Sequence, residues 1–70
     1  MNKYFTVTLM YGVDYSEVLS NVKRIEITDT NKIIITHMLY VHNNWCRTKE
    51  LVNSEAVTIM VDFDLHELKR

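Results

Sequence analysis

The first information in this chain lies in what it lacks. Its 70 residues include one cysteine, one glycine, one alanine and no proline. A single thiol cannot form an internal disulfide, so the fold must be held together by its core, by a metal or by a partner surface. A chain this short buries only about 60% of the surface that is exposed when it is unfolded. We therefore expect one domain over residues 1–70 that associates with copies of itself, with a frayed tail at residues 65–70.

An excess of charge of one sign and long apolar runs are missing as well. Eight lysines and arginines stand against nine aspartates and glutamates, which gives a net charge of −1. This balance argues against a protein that binds nucleic acid mainly by neutralising phosphates. No apolar run approaches the roughly 20 residues of a membrane-spanning helix, and the first residues lack the apolar stretch of a signal peptide. Together with the lone thiol, these absences predict a cytoplasmic protein without a membrane segment.

What the chain has in abundance is β-branched residues. Valine, isoleucine and threonine make up 21 of the 70 residues, and these residue types favour strands over helices. Apolar and polar residues alternate over residues 4–11 and 56–64, which predicts two half-buried strands. Residues 23–28 and 32–36 flank the turn formers of residues 29–31, which predicts a hairpin.

Two further segments fit either a helix or a strand. Residues 14–22 have capping-box spacing and apolar residues at helical intervals, and residues 45–53 have helical spacing with a more polar face. If both are strands, the fold is mainly β, with about six short strands in a small antiparallel meander that forms a barrel-like or folded sheet. If both are helices, the order is β-α-β-β-α-β, a split α+β arrangement. The composition favours the mainly β fold.

Three segments carry a resemblance to known proteins. The stretches TVTLMYG (residues 6–12), NVKRIEITD (21–29) and KIIIT (32–36) resemble small uncharacterised β-rich proteins of bacteriophages and other mobile elements of Gram-positive bacteria. The resemblance covers about half of the chain and rests on the strand pattern. It implies a bacterial cytoplasm and an accessory or counter-defence role. It assigns no functional residue.

Residues that could carry chemistry are few. His37 and His42 are five positions apart, which places them on opposite faces of a strand. His42 and Cys46 share a face, but two ligands fall short of the four of structural zinc or the three of catalytic zinc. A catalytic Cys46–His42 pair would also need a loop that forms an oxyanion hole, and the sequence has no glycine-rich loop of this kind. We therefore predict no enzyme, no catalytic residue, no metal and no cofactor, with surface histidines and a buried thiol.

A protein interface fits the large side chains better. A chain of this size cannot bury all of its aromatic residues, and tyrosine, tryptophan and arginine are enriched where interfaces bury most surface. The residues that we predict to contact a partner are Tyr40, Trp45, Arg47, Asp62 and Asp64. With the resemblance, this predicts a non-enzymatic interaction module of phage type, which binds and inhibits a host protein such as a defence nuclease.

Binding of single-stranded nucleic acid is the alternative. Small β-barrels bind single strands by stacking bases on aromatic side chains beside cations. Lys23 and Arg24 on one side, and Arg47 and Lys49 on the other, lie in segments with a shared pattern, so we expect them to approach each other in the fold.

Overall fold

A computed structural model describes residues 2–69 as one open antiparallel sheet of five strands. The strands are Tyr4–Tyr11 (β1), Tyr15–Ile27 (β2), Lys32–Val41 (β3), Asn44–Asn53 (β4) and Thr58–His66 (β5). Strands β1 to β4 form a meander, and β5 returns to pair with β1, so the order is β4-β3-β2-β1-β5. Strands β4 and β5 are the two edges and do not pair with each other. The mainly β prediction is confirmed.

The helical alternative for the two ambiguous segments is wrong. Residues 14–22 fall largely within β2 and residues 45–53 within β4. Both segments pair along their length with a neighbouring strand, and this pairing outweighs the local helical spacing. The structure has five strands where the sequence suggested about six, because the strands expected in 14–22 and 23–28 are one continuous 13-residue strand. Within residues 2–69 no helix is present that could cross a membrane.

One face of the sheet holds the core. Side chains of the four strands β1 to β4 meet there and are less than a tenth exposed: Val7, Leu9, Leu19, Val22, Ile33, Ile35 and Val52. Three half-buried residues pack against this cluster, namely Val57 just before β5 and Ile59 and Val61 within it. We call this the inner face and the opposite side the outer face.

Two bulges in β2 curl the sheet around this core. Between the pairs Phe5↔Val22 and Val7↔Leu19, β2 advances by three residues and β1 by two. Between Val22↔His37 and Arg24↔Thr36, β2 advances by two residues and β3 by one. Such bulges bend a strand and increase its twist. The pairing of β2 with β3 stops at Val22 and His37, so the two strands separate beyond that point.

A tight turn connects β3 to β4. His42 and Asn43 both have positive φ angles, of 52° and 65°, as in the two-residue hairpin turns that match the twist of a sheet. The turn fixes a regular register over ten residue pairs, from Val41↔Asn44 to Lys32↔Asn53.

The end of the chain is attached to β2. Strand β5 reaches His66, whose Nε2 donates to the carbonyl oxygen of Ser20 at 2.7 Å. The Asn21 side chain donates from Nδ2 to the Lys69 carbonyl at 2.7 Å, and its Oδ1 accepts from the Lys69 backbone N–H at 3.2 Å. Within the segment predicted as a frayed tail, His66 and Lys69 thus form hydrogen bonds to β2, and residue 70 lies outside the described residues.

Candidate functional site

The hairpin of β3 and β4 brings together three of the five residues predicted to contact a partner. Tyr40 is paired with Trp45, and their rings meet edge to face with centroids 5.2 Å apart. Arg47 follows two residues after Trp45 on the same side of β4, where it is paired with Met38. These side chains form a continuous row on the outer face of the two strands.

The two predicted acidic residues lie elsewhere. Asp62 and Asp64 are on β5, the opposite edge of the sheet. They are close to each other, because the backbone N–H of Asp64 donates to Asp62 Oδ1 at 3.0 Å. The structure therefore divides the predicted contact residues into an aromatic and cationic group on β3 and β4 and an acidic pair on β5.

A cleft opens where β2 and β3 separate. Its volume is about 360 Å³, and we call it the β2–β3 cleft. The side chains or main chain of the following residues line it: Val18, Leu19, Ser20, Asn21, His37, Met38, Leu39, Tyr40, Trp45 and Lys69. Tyr40 and Trp45 thus form part of its wall, and the end of the chain enters it at Lys69.

A second cavity, of about 220 Å³, lies next to the aromatic row on the outer face. Five residues from three neighbouring strands line it, and we call it the basic pocket: Lys23, Arg24, Thr36, Arg47 and Lys49. The four cations are those predicted for nucleic-acid binding. The register explains their approach, because Arg24 and Lys49 are the direct cross-strand neighbours of Thr36 on its two sides.

Thr36 sits at the base of the basic pocket with its hydroxyl unsatisfied. The residue is 3% exposed, and Oγ1 has no hydrogen-bond partner among the described residues. A buried polar group without a partner costs on the order of 1–3 kcal/mol, so native structures rarely keep one. A ligand that accepts a hydrogen bond in the pocket would remove this cost.

Most of the positive charge in the basic pocket is not neutralised by nearby carboxylates, so it can attract an anion. Arg24 has an ion pair with Glu26, with Nη2 and Oε1 3.3 Å apart on an exposed surface. In the described part of the chain no carboxylate lies within 4 Å of Lys23, Arg47 or Lys49. Three of the four positive charges therefore have no local counter-charge.

The inner face carries a separate polar group. His37 is 2% exposed, against the expectation of surface histidines, and its Nε2 lies 3.5 Å from Glu50 Oε1 without the geometry of a hydrogen bond. Burial raises the pKa of Tyr11, and the charges of Glu17 and Glu50 add to this effect. A tyrosine and two carboxylates therefore share one part of the inner face.

The potential metal ligands are dispersed. His42 is in the β3–β4 turn, His66 is bonded to Ser20, and Cys46 is exposed, so the prediction of a buried thiol is wrong. Among residues 2–69 no three histidine, cysteine, aspartate or glutamate side chains form a group that could hold a metal ion.

Sequence reasoning missed the residues that need the register to be recognised. Thr36 ends the β-branched run of residues 32–36 and reads as an ordinary strand residue. Its role follows only from its position between Arg24 and Lys49. Asn21 and Lys69 are 48 positions apart, and no sequence signal links them.

Comparisons of the chain with protein-family models, with curated proteins and with solved structures gave no match. The two cavities are therefore the features of the molecule that point to a function.

Proposed function

We propose that the protein is a non-enzymatic interaction module that binds an extended segment of a partner protein in the β2–β3 cleft. The observation that carries this proposal is the separation of two strands within one sheet. Val18 and Leu19 of β2 pair with β1, whereas Met38 and Leu39 of β3 pair with β4. The sides of β2 and β3 that face each other across the cleft have no strand between them.

A segment of the chain itself supports this use of the cleft. Lys69 lines the cleft, and Asn21 binds both its N–H and its carbonyl group. The side-chain amide thus does for Lys69 what a neighbouring strand does for a peptide group. Proteins that bind extended segments commonly use such main-chain hydrogen bonds for affinity and side-chain contacts for specificity.

The walls of the cleft suit a protein partner. Met38, Tyr40 and Trp45 belong to the residue types enriched in the buried centres of interfaces. Because tryptophan buries a large apolar area at small conformational cost, Trp45 is the side chain from which we expect the largest contribution. Arg47 continues the same row at its cationic end.

In its most specific form the partner is a host protein such as a defence nuclease, which this protein inhibits. What supports this form is the resemblance to small β-rich phage proteins. An inhibitor of this kind should suppress the activity of a purified host nuclease when present at equal molar amount, and the Trp45→Ala variant should not.

Site-specific photocrosslinking tests the cleft directly. A crosslinking amino acid replaces Leu39 in the cleft or, as the control, Met60 on β5, which is 56% exposed. We expect one host protein to be captured from position 39 and not from position 60. Trp45→Ala should reduce its recovery about tenfold or more, whereas Phe63→Ala, an exposed aromatic on β5, should not.

Equal capture from both positions, or capture that does not respond to Trp45→Ala, would contradict the proposal. Thermal unfolding of each variant shows whether it is folded before capture is compared.

A further inference from the structure

The basic pocket is separate from the cleft in its chemistry. It is lined by four cations and one hydroxyl, a set that suits an anion and offers little to an apolar peptide. Beyond the protein partner, we propose that this pocket binds a backbone phosphate of single-stranded nucleic acid, with the Thr36 hydroxyl donating a hydrogen bond to a phosphate oxygen.

Thr36 is the first support for this ligand. Thr36 lines the pocket, and its Oγ1 is buried and lacks a partner among the described residues. A hydroxyl can donate one hydrogen bond, and a phosphate oxygen is a strong acceptor with charge that strengthens the bond. The wall of the pocket therefore includes a residue with an unused donor.

The cations around Thr36 are the second support. Arg24 and Lys49 flank it on the neighbouring strands, and Lys23 and Arg47 complete the ring. Arginine presents a planar fork of donors that matches a phosphate, and lysine adds a compact charge. The net charge of the whole chain is −1, so the attraction comes from this local cluster and should fall steeply with salt.

The neighbouring aromatic row selects a nucleic-acid strand over a free phosphate ion. Trp45 is two residues from Arg47 on the same face of β4, a separation of about 7 Å along a strand. The Trp45 indole is half-buried and leaves part of its surface exposed. A base can stack there while the adjoining phosphate occupies the pocket, and stacking of this kind holds single strands with little sequence preference.

Among the described residues, Glu26 is the carboxylate that lies within 4 Å of a cation of the basic pocket. It holds the Arg24 guanidinium at 3.3 Å, and a bound phosphate would compete for the same donors. Removal of its charge should therefore strengthen binding, which gives a variant with a gain of affinity.

Fluorescence anisotropy of a labelled oligothymidylate at low salt tests the proposal. We expect Thr36→Val, which deletes the hydroxyl and keeps the branched shape, to weaken binding about tenfold. Thr36→Ser, which keeps the hydroxyl, should bind like the unaltered protein. Glu26→Gln should bind more tightly, and Lys49→Gln should bind less tightly with a salt dependence reduced by about one ion.

The ligand's source is distinguished by competition. Unlabelled oligothymidylate should displace the label far better than inorganic phosphate, an abasic strand or a doubly phosphorylated peptide at equal phosphate concentration. Better displacement by the phosphopeptide would overturn the nucleic-acid assignment, and equal displacement by inorganic phosphate would reduce the site to a simple anion pocket and also overturn it.

The hydroxyl's role has its own decisive result. Unchanged affinity of folded Thr36→Val would overturn the assignment of Thr36, and absence of strand binding by the unaltered protein at low salt would overturn the whole inference. Neither result bears on the β2–β3 cleft, because Thr36 is not part of its lining.

Discussion

Two buried polar side chains on this sheet differ in whether they have hydrogen-bond partners. At Asn21, which is 4% exposed, the side-chain oxygen and nitrogen are both bonded to Lys69 of the same chain. At Thr36, which is 3% exposed, the hydroxyl has no partner in the described residues and is surrounded by cations. Burial of a polar group is stabilising only when its hydrogen bonds are made. The first site therefore serves the fold, and the second is left ready for a ligand.

The largest effect should come from breaking the satisfied site. Asn21→Ala removes the side chain that binds both polar groups of the Lys69 backbone, and we expect a loss of about 1–3 kcal/mol in the free energy of unfolding. Urea denaturation measures it. Asn21→Asp keeps the acceptor for the Lys69 N–H but places a buried carboxylate oxygen against the Lys69 carbonyl, so its loss should be at least as large. No loss in Asn21→Ala would mean that the tail adds nothing to stability.

Removal of the unsatisfied hydroxyl should have the opposite sign. Thr36→Val replaces a buried donor without a partner by a methyl group, and we expect a gain of up to about 1 kcal/mol. The same variant should lose affinity for single-stranded nucleic acid, so stability and binding change in opposite directions. A fall in the melting temperature would show that the hydroxyl is bonded in solution and would remove the contrast with Asn21.

The smallest effect concerns the inner face and appears only at high pH. Burial, with the charges of Glu17 and Glu50, raises the pKa of Tyr11 above the usual value of about 10. Because the unfolded chain ionises this phenol first, stability should be unchanged below that pH and should fall as the pH rises through the folded pKa. Ultraviolet titration should show one tyrosine that ionises at a higher pH than the others, and this step should be missing in Tyr11→Phe. Glu17→Gln should move the step to a lower pH. Identical titration curves would contradict this account.

The strands could be predicted because their pattern is local. Alternation over residues 4–11 and 56–64 and the hairpin around residues 29–31 correspond to β1, β5 and the β2–β3 pair. The decision between helix and strand at residues 14–22 could not be made locally, because that part of β2 owes its conformation to pairing with β1. Its two bulges lie between Leu19 and Val22 and between Val22 and Arg24. No sequence pattern predicts them.

The sequence predicted the four cations of the basic pocket but not Thr36, which lies between them. A weak internal pattern suggested that Lys23 and Arg24 approach Arg47 and Lys49, and the structure places all four around one pocket. Burial at His37 and exposure at Cys46 ran against expectation. The register places both residues on the inner face, so their burial depends on how far the core extends along the strands. The Thr36 hydroxyl has no hydrogen-bond partner among the described residues, and this depends on which groups surround it in the fold.

The charges on the two open edges of the sheet determine which edges of two copies can pair. On the outer face the β4 edge carries Arg47 and Lys49, whereas its Glu50 is on the inner face, and the β5 edge carries Asp62 and Asp64. Two identical edges placed side by side would set like charges against each other, which is unfavourable between paired strands. The predicted homo-oligomer stays a prediction, but main-chain pairing between copies would join unlike edges, and such a contact repeats from copy to copy until it closes into a ring or grows into a fibre. A symmetric pair built on one edge is the arrangement that this distribution of charge opposes.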